Sequence, residues 1–244
     1  MIVSHSSKFI FIKTRKTAGT SVEAALRKFL DPGDIMTPLG RADAAGEPQF
    51  DGPAATGYQY GPLRQRVHAI LGKTGKRIFG YPHTRFYSHV PAYIVRRKLG
   101  KKIWDGYFKF SIVRNPYDML VSLYMHERSG CRLPEGMGFG EFVRSKFVRP
   151  RNVDLVRIGN RNEMDAALRF ESLYEDSEDL GQRLGFGSAV RDRLMDLQIN
   201  NQHRTSPDVA AFYDKSLQQY VAWRFAFEFR LFGYDPDVLP KERD

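Results

Sequence analysis

Two short apolar runs each pass through a few polar residues directly into an amphipathic helix, and this repeated layout constrains the fold more than any other feature. Lys8 to Lys13 reads KFIFIK, β-branched and aromatic without alternation, the pattern of a buried strand. The polar loop Thr14-Arg15-Lys16-Thr17-Ala18-Gly19 follows, after which Val22, Ala25, Leu26 and Phe29 recur on one helical face. Thr20, with Glu23 three residues on, reads as a capping box for that helix. Tyr107 to Val113 (YFKFSIV) begins a second such unit. It runs through Arg114 into Asn115 as N-cap, Pro116 at the first helical position and Asp118 in the first turn, with Tyr117, Leu120, Val121 and Tyr124 as the apolar face. Strands alternating with helices need crossover connections, so the expected fold is α/β: a single domain with a P-loop-like, mainly parallel central sheet flanked by helices.

Other segments add elements. Ile78 to Tyr81 reads as a short strand, Pro91 to Leu99 as a helix beginning near His89, and Asp165 to Phe170 as a further strand. Glu171 to Leu184 reads as a helix stopped by Gly185, and Ser206 to Phe232 as two aromatic-rich helices. Tyr220, Trp223, Phe225, Phe227 and Phe229 are expected in the core. Two stretches break the pattern: a long irregular insertion at about 37–75 and a Gly-rich, mobile loop at about 129–140.

With 42% apolar residues the chain can bury a core, and its single cysteine, Cys131, excludes an intrachain disulfide. That fits a reducing compartment, and the short apolar run at the N-terminus is neither a signal core nor a membrane span, so a cytoplasmic location without a membrane span is expected. The formal net charge of +10 calls for an anionic partner without naming it. Zinc spacing, a basic zipper and an aromatic RNA-binding signature are all missing, which argues against nucleic acid as the partner and against a resident metal.

The first loop is not a Walker loop, which needs a lysine directly after its second glycine; here Lys16 precedes Gly19. FIFIKTRKTAGTSVEAAL resembles the 5′-phosphosulfate loop of sulfotransferases that use 3′-phosphoadenosine 5′-phosphosulfate (PAPS). FKFSIVRNPYDMLVSLY resembles the same family's 3′-phosphate motif, with Arg114 at a strand end and Ser122 eight residues later. SHVPAYIVRRKLGKKIWDGYFKF and LRFESLYEDSEDLGQRLGF resemble further segments of the carbohydrate sulfotransferases and their bacterial relatives.

The resemblance implies transfer of a sulfuryl group from PAPS to a hydroxyl, on a carbohydrate or other acceptor, acidic ones included. Arg15, Lys16, Thr17, Ala18, Gly19, Thr20 and Ser21 would hold the 5′ end, through backbone N–H groups, hydroxyls and a lysine charge at the bridging oxygen. Arg114 and Ser122 would hold the 3′-phosphate. His89 would be the general base. On residue chemistry alone, Arg114 equally suits an ion pair with Asp118, and a histidine ahead of a helix equally suits a cap or a packing role. His83 lies six residues upstream, as a second candidate base. His203-Arg204-Thr205 reads either as a closing element or as an ordinary basic loop. Two other classes stay open: a P-loop nucleotide kinase or phosphotransferase, and a non-catalytic polyanion-binding protein.

Overall fold

The computed structural model describes residues 1–39, 52–59, 85–149, 151–197 and 208–240. Its main sheet contains β1 (Ile2–Ser4), β2 (Phe9–Ile12), β3 (Ile35–Met36), β4 (Phe108–Val113) and β7 (Ala166–Arg169), in the spatial order β3-β1-β2-β4-β7. β2, β4 and β7 pair in parallel, and β1 runs antiparallel to both β2 and β3. Four of these five strands therefore point the same way, and the expected mostly parallel sheet is found. A separate small ribbon pairs β5 (Arg157–Ile158) with β6 (Arg161–Asn162).

Strand β2 shows why its run lacks alternation. Phe9 and Phe11 pack on one face with Phe110, while Ile10 and Ile12 pack on the other, and side chains of successive strand residues point to opposite faces. The first face is covered by α1 (Gly19–Arg27), α7 (Leu173–Leu184) and α8 (Ala189–Asp196) through Val22, Leu26, Leu180, Val190 and Leu194. The second is covered by α2 (Ala92–Leu99), α3 (Lys101–Gly106) and α6 (Asn152–Val156) through Val95, Trp104 and Leu155. A third cluster joins α4 (Pro116–Ser129), α5 (Phe139–Arg144), α9 (Lys215–Arg224) and α10 (Ala226–Phe232).

Several local expectations hold. Asn115 caps α4 by accepting from the Tyr117 amide at 3.0 Å, with Pro116 as the first helical residue. Gly185 ends α7 at φ 79°, a left-handed conformation that glycine adopts without strain.

Other expectations need correction. The Thr20–Glu23 capping box does not form: α1 starts at Gly19 behind Ala18, and no side chain caps it. Glu23 is fully buried and pairs with Lys13 instead. Pro91 is the N-cap of α2 rather than part of its first turn. A short 3₁₀ turn over Phe170–Ser172 precedes α7, which therefore begins at Leu173 rather than Glu171. Of the aromatic set expected in the core, Phe225 and Phe229 are buried, but Trp223 is 74% exposed. Residues 52–59 of the long insertion pack at the end of α1 away from Lys16, where the Arg27 Nε donates to the Pro53 carbonyl and Met36 N donates to the Thr56 carbonyl. The proposed strand Ile78–Tyr81, His83 and His203-Arg204-Thr205 lie outside the described residues.

Candidate active site

Parallel pairing sets the site. Ile12 of β2 stands opposite Ser111 of β4, so the loops that leave these two strands emerge side by side at one edge of the sheet. That edge, beyond the C-terminal ends of parallel strands, is where open α/β sheets bind ligands. Further bonds tie the loops together: the Ser111 hydroxyl donates to the Ile12 carbonyl at 2.7 Å, the Thr14 hydroxyl donates to the Ile112 carbonyl, and the Thr14 and Thr17 hydroxyls lie 2.8 Å apart.

The first loop is tightly wound. Lys16 and Ala18 both take φ of 59°, a region in which non-glycine residues are strained, and such strain gathers at functional sites. α1 opens immediately afterwards, and the N–H groups of Gly19 and Thr20 meet no acceptor among the described residues. Unpaired N–H groups at a helix start make an anion site. The Lys16 amine is half-buried and has no ion-pair partner among the described residues. Burial first, and the Arg114 charge second, lower its pKa from the usual lysine value, while Glu127 opposes them.

Arg114 is buried at the end of β4. Its Nε and Nη2 donate to the two carboxylate oxygens of Asp118, both at 2.7 Å, and its Nη1 donates to the Lys16 carbonyl at 2.8 Å. Phe170 stacks beneath the guanidinium at 4.0 Å. The Asp118 ion pair is therefore real, and it holds the planar group edge-on to the loop. The five N–H bonds of an arginine exceed the three used here. Ser122 is half-buried one turn beyond Asp118 on α4, the spacing that puts two side chains on the same helical face.

His89 also has a left-handed backbone, φ 59°. Its Nδ1 lies 3.1 Å from the Lys13 carbonyl. A carbonyl only accepts, so Nδ1 carries the proton and Nε2 keeps its lone pair. The His89 pKa is pushed down to about 4, by burial first and the Lys13 charge second, against the bond to the Lys13 carbonyl.

Residues that sequence reading passed over complete the surroundings. Lys13 Nζ pairs with Glu23 at 2.6 Å, and burial lowers its pKa to about 8. The Lys13 stem crosses the start of α1 so closely that a Cβ on Gly19 would lie 2.8 Å from Lys13 Cγ. Glycine at position 19 is thus required by lysine packing. Asn152 clamps the Arg15 backbone from both sides, accepting from its N–H at 2.8 Å and donating to its carbonyl at 2.9 Å. Glu127, near the end of α4, lies 3.7 Å from Arg15 and 3.3 Å from Arg132. A lysine closing an apolar strand was the one available signal, because a charge there needs a buried counter-charge.

This arrangement is a cationic site at the strand ends of an α/β sheet, with a half-buried amine, helix-start N–H groups that meet no acceptor among the described residues, and an imidazole nitrogen that keeps its lone pair. A family model described as "Sulfotransferase family" matches residues 1–235. The chain belongs to that family, which makes it a transferase of sulfuryl groups and implies an acceptor bearing a hydroxyl. The family generally uses PAPS as donor. An uncharacterized protein of Archaeoglobus fulgidus is 29% identical over 110 residues, which cover 43% of this chain and 90% of that protein. No solved structure matches. Among the described residues no helix is long and apolar enough to cross a membrane, and no cluster of ligating side chains could hold a metal ion.

Proposed function

We propose that the chain transfers the sulfuryl group of PAPS to a carbohydrate hydroxyl by direct in-line displacement. The observation that carries this reading is the 2.8 Å bond from Arg114 to the Lys16 carbonyl, which joins the two motifs at one edge of the sheet. PAPS supplies the sulfuryl group, its bond to the 5′-phosphate oxygen breaking as the acceptor oxygen bonds to sulfur. Arg15, Lys16, Thr17, Ala18, Gly19, Thr20 and Ser21 cradle the 5′ end, and Lys16 stabilises the charge that grows on the departing oxygen. Arg114 and Ser122 hold the 3′-phosphate, through the N–H groups Asp118 leaves open and the Ser122 hydroxyl. His89 takes the acceptor proton at Nε2, with its tautomer fixed by the Lys13 carbonyl.

Two measurements test this reading. Sulfur-labelled PAPS should give labelled saccharide without added metal, whereas ATP with magnesium should give no phosphorylated product. The nucleotide product, 3′-phosphoadenosine 5′-phosphate, should raise the melting temperature, as any ligand selective for the folded state does. Equal stabilisation by ATP would refute the donor assignment.

A further inference from the structure

Trp223 is 74% exposed, the largest exposure among the large apolar side chains of the described residues, while its neighbour Phe225 is 1% exposed. Tyr220 lies beside it, with ring centroids 6.1 Å apart. The Arg144 guanidinium sits over the Tyr220 ring at 4.7 Å. Arg224 donates to the Tyr220 hydroxyl at 3.0 Å and to the Val143 carbonyl. Neither arginine has a carboxylate partner among the described residues; Arg144 bonds only to the Gly140 carbonyl. Two more guanidiniums, Arg157 and Arg230, flank Phe227 at 5.8 and 6.0 Å. An exposed indole thus lies near Arg144 and Arg224, neither of which meets a carboxylate among the described residues, whereas Arg157 pairs with Asp154 at 2.8 Å.

This surface is continuous with the candidate active site. Arg151 donates to the Arg224 carbonyl at 2.9 Å. The next residue, Asn152, clamps the backbone of Arg15, which adjoins Lys16.

We propose that Trp223, Tyr220, Arg144 and Arg224 form a binding surface for an acidic saccharide chain. The indole stacks on the apolar face of a sugar ring, while the guanidiniums take its carboxylate or sulfate groups through paired N–H donors. A chain bound there runs toward the loop that holds Lys16. The proposal rests on the saccharide reading of the acceptor. That reading and the continuity with the transfer loop favour a saccharide over single-stranded nucleic acid, whose successive bases call for a series of stacking rings.

The two tryptophans make the test direct, because Trp104 is 1% exposed and acrylamide quenching therefore reports on Trp223. Polygalacturonate should shield Trp223 from quenching in the absence of donor, and neutral dextran should not. The affinity for labelled polygalacturonate, read by anisotropy, should fall about five- to tenfold in Trp223→Ala and in Arg144→Ala, as for loss of one anchor side chain. The proposal is overturned if dextran shields equally, if neither variant changes the affinity, or if oligothymidylate or anionic phospholipid vesicles shield at lower concentration. The melting-temperature rise with 3′-phosphoadenosine 5′-phosphate is read on the same samples. Its survival without shielding would sink this surface alone, and its absence with shielding intact would sink the donor reading alone.

Discussion

Arg114 donates to the backbone carbonyl of Lys16 at 2.8 Å, so the residue assigned to one end of the donor also braces the loop assigned to the other. Arg114→Ala should therefore do more than remove a phosphate contact. Binding of 3′-phosphoadenosine 5′-phosphate should weaken by about 1.5–3 kcal/mol, the range for hydrogen bonds to charged groups. Binding of adenosine 5′-phosphosulfate, which lacks the 3′-phosphate, should weaken by a smaller amount that reports the loosened loop. Calorimetric titration of both nucleotides separates the contributions; equal losses would make Arg114 purely structural.

Lys16→Ala should reduce turnover more than nucleotide binding, because the lysine acts chiefly on charge that develops during transfer. The comparison is kcat against the dissociation constant of the product nucleotide. A loss confined to binding would place Lys16 with the ground-state contacts instead.

His89→Ala should lower kcat by about 10²–10⁴, the range for loss of a general base, while nucleotide binding stays near wild type. His83→Ala is the control, with the milder effect. The reverse order of severity would move the base to His83.

The depressed His89 pKa has a measurable sign. With a folded value of about 4 against an ordinary 6.5, the unfolded chain binds a proton between these limits that the folded chain excludes. Stability should therefore fall as pH drops through this window, and His89→Gln should flatten that slope in urea unfolding. The imidazole resonance of His89 in the free protein should titrate near pH 4, and its midpoint should rise when the anionic nucleotide binds. A midpoint near 6.5 in the free protein would contradict the buried setting.

Gly19→Ala should destabilise the fold by about 1–3 kcal/mol, the usual effect of overpacking, because the new methyl would press on the Lys13 stem. Glu23→Ala should cost about 3–5 kcal/mol, since it strips a buried lysine of its counter-charge. Chemical denaturation checks both, and a Glu23→Ala protein as stable as wild type would show that Lys13 finds another partner.

The parts of the fold legible in the sequence were those with long, self-consistent signals. KFIFIK and YFKFSIV announced β2 and β4, and Asn115-Pro116 announced the start of α4. β1 and β3 were missed because three and two residues are too few for any periodicity; both rest on pairing, such as Ile2 with Phe11 and Met36. In the site, Lys16 and Arg114 were legible because each follows a strand end. Asn152 and Glu127 were not, because they reach Arg15 across 137 and 112 residues of chain. Glu23 misled for the opposite reason: a local capping pattern was present, but a buried lysine ten residues earlier took its carboxylate. Trp223 was read with its aromatic neighbours, and only its turn of the helix separates it from them.

The left-handed backbone at Lys16, Ala18 and His89 has a thermodynamic consequence for ligand association. Each such residue costs of order 1–3 kcal/mol, a charge met when the chain folds and not when the donor arrives. The cleft therefore meets its ligand with its dipoles already aimed. Association should proceed in one kinetic phase, with a heat-capacity change no larger than contact burial requires, and a glycine at position 18 should relax the loop, stabilise the resting protein and slow the reaction it performs.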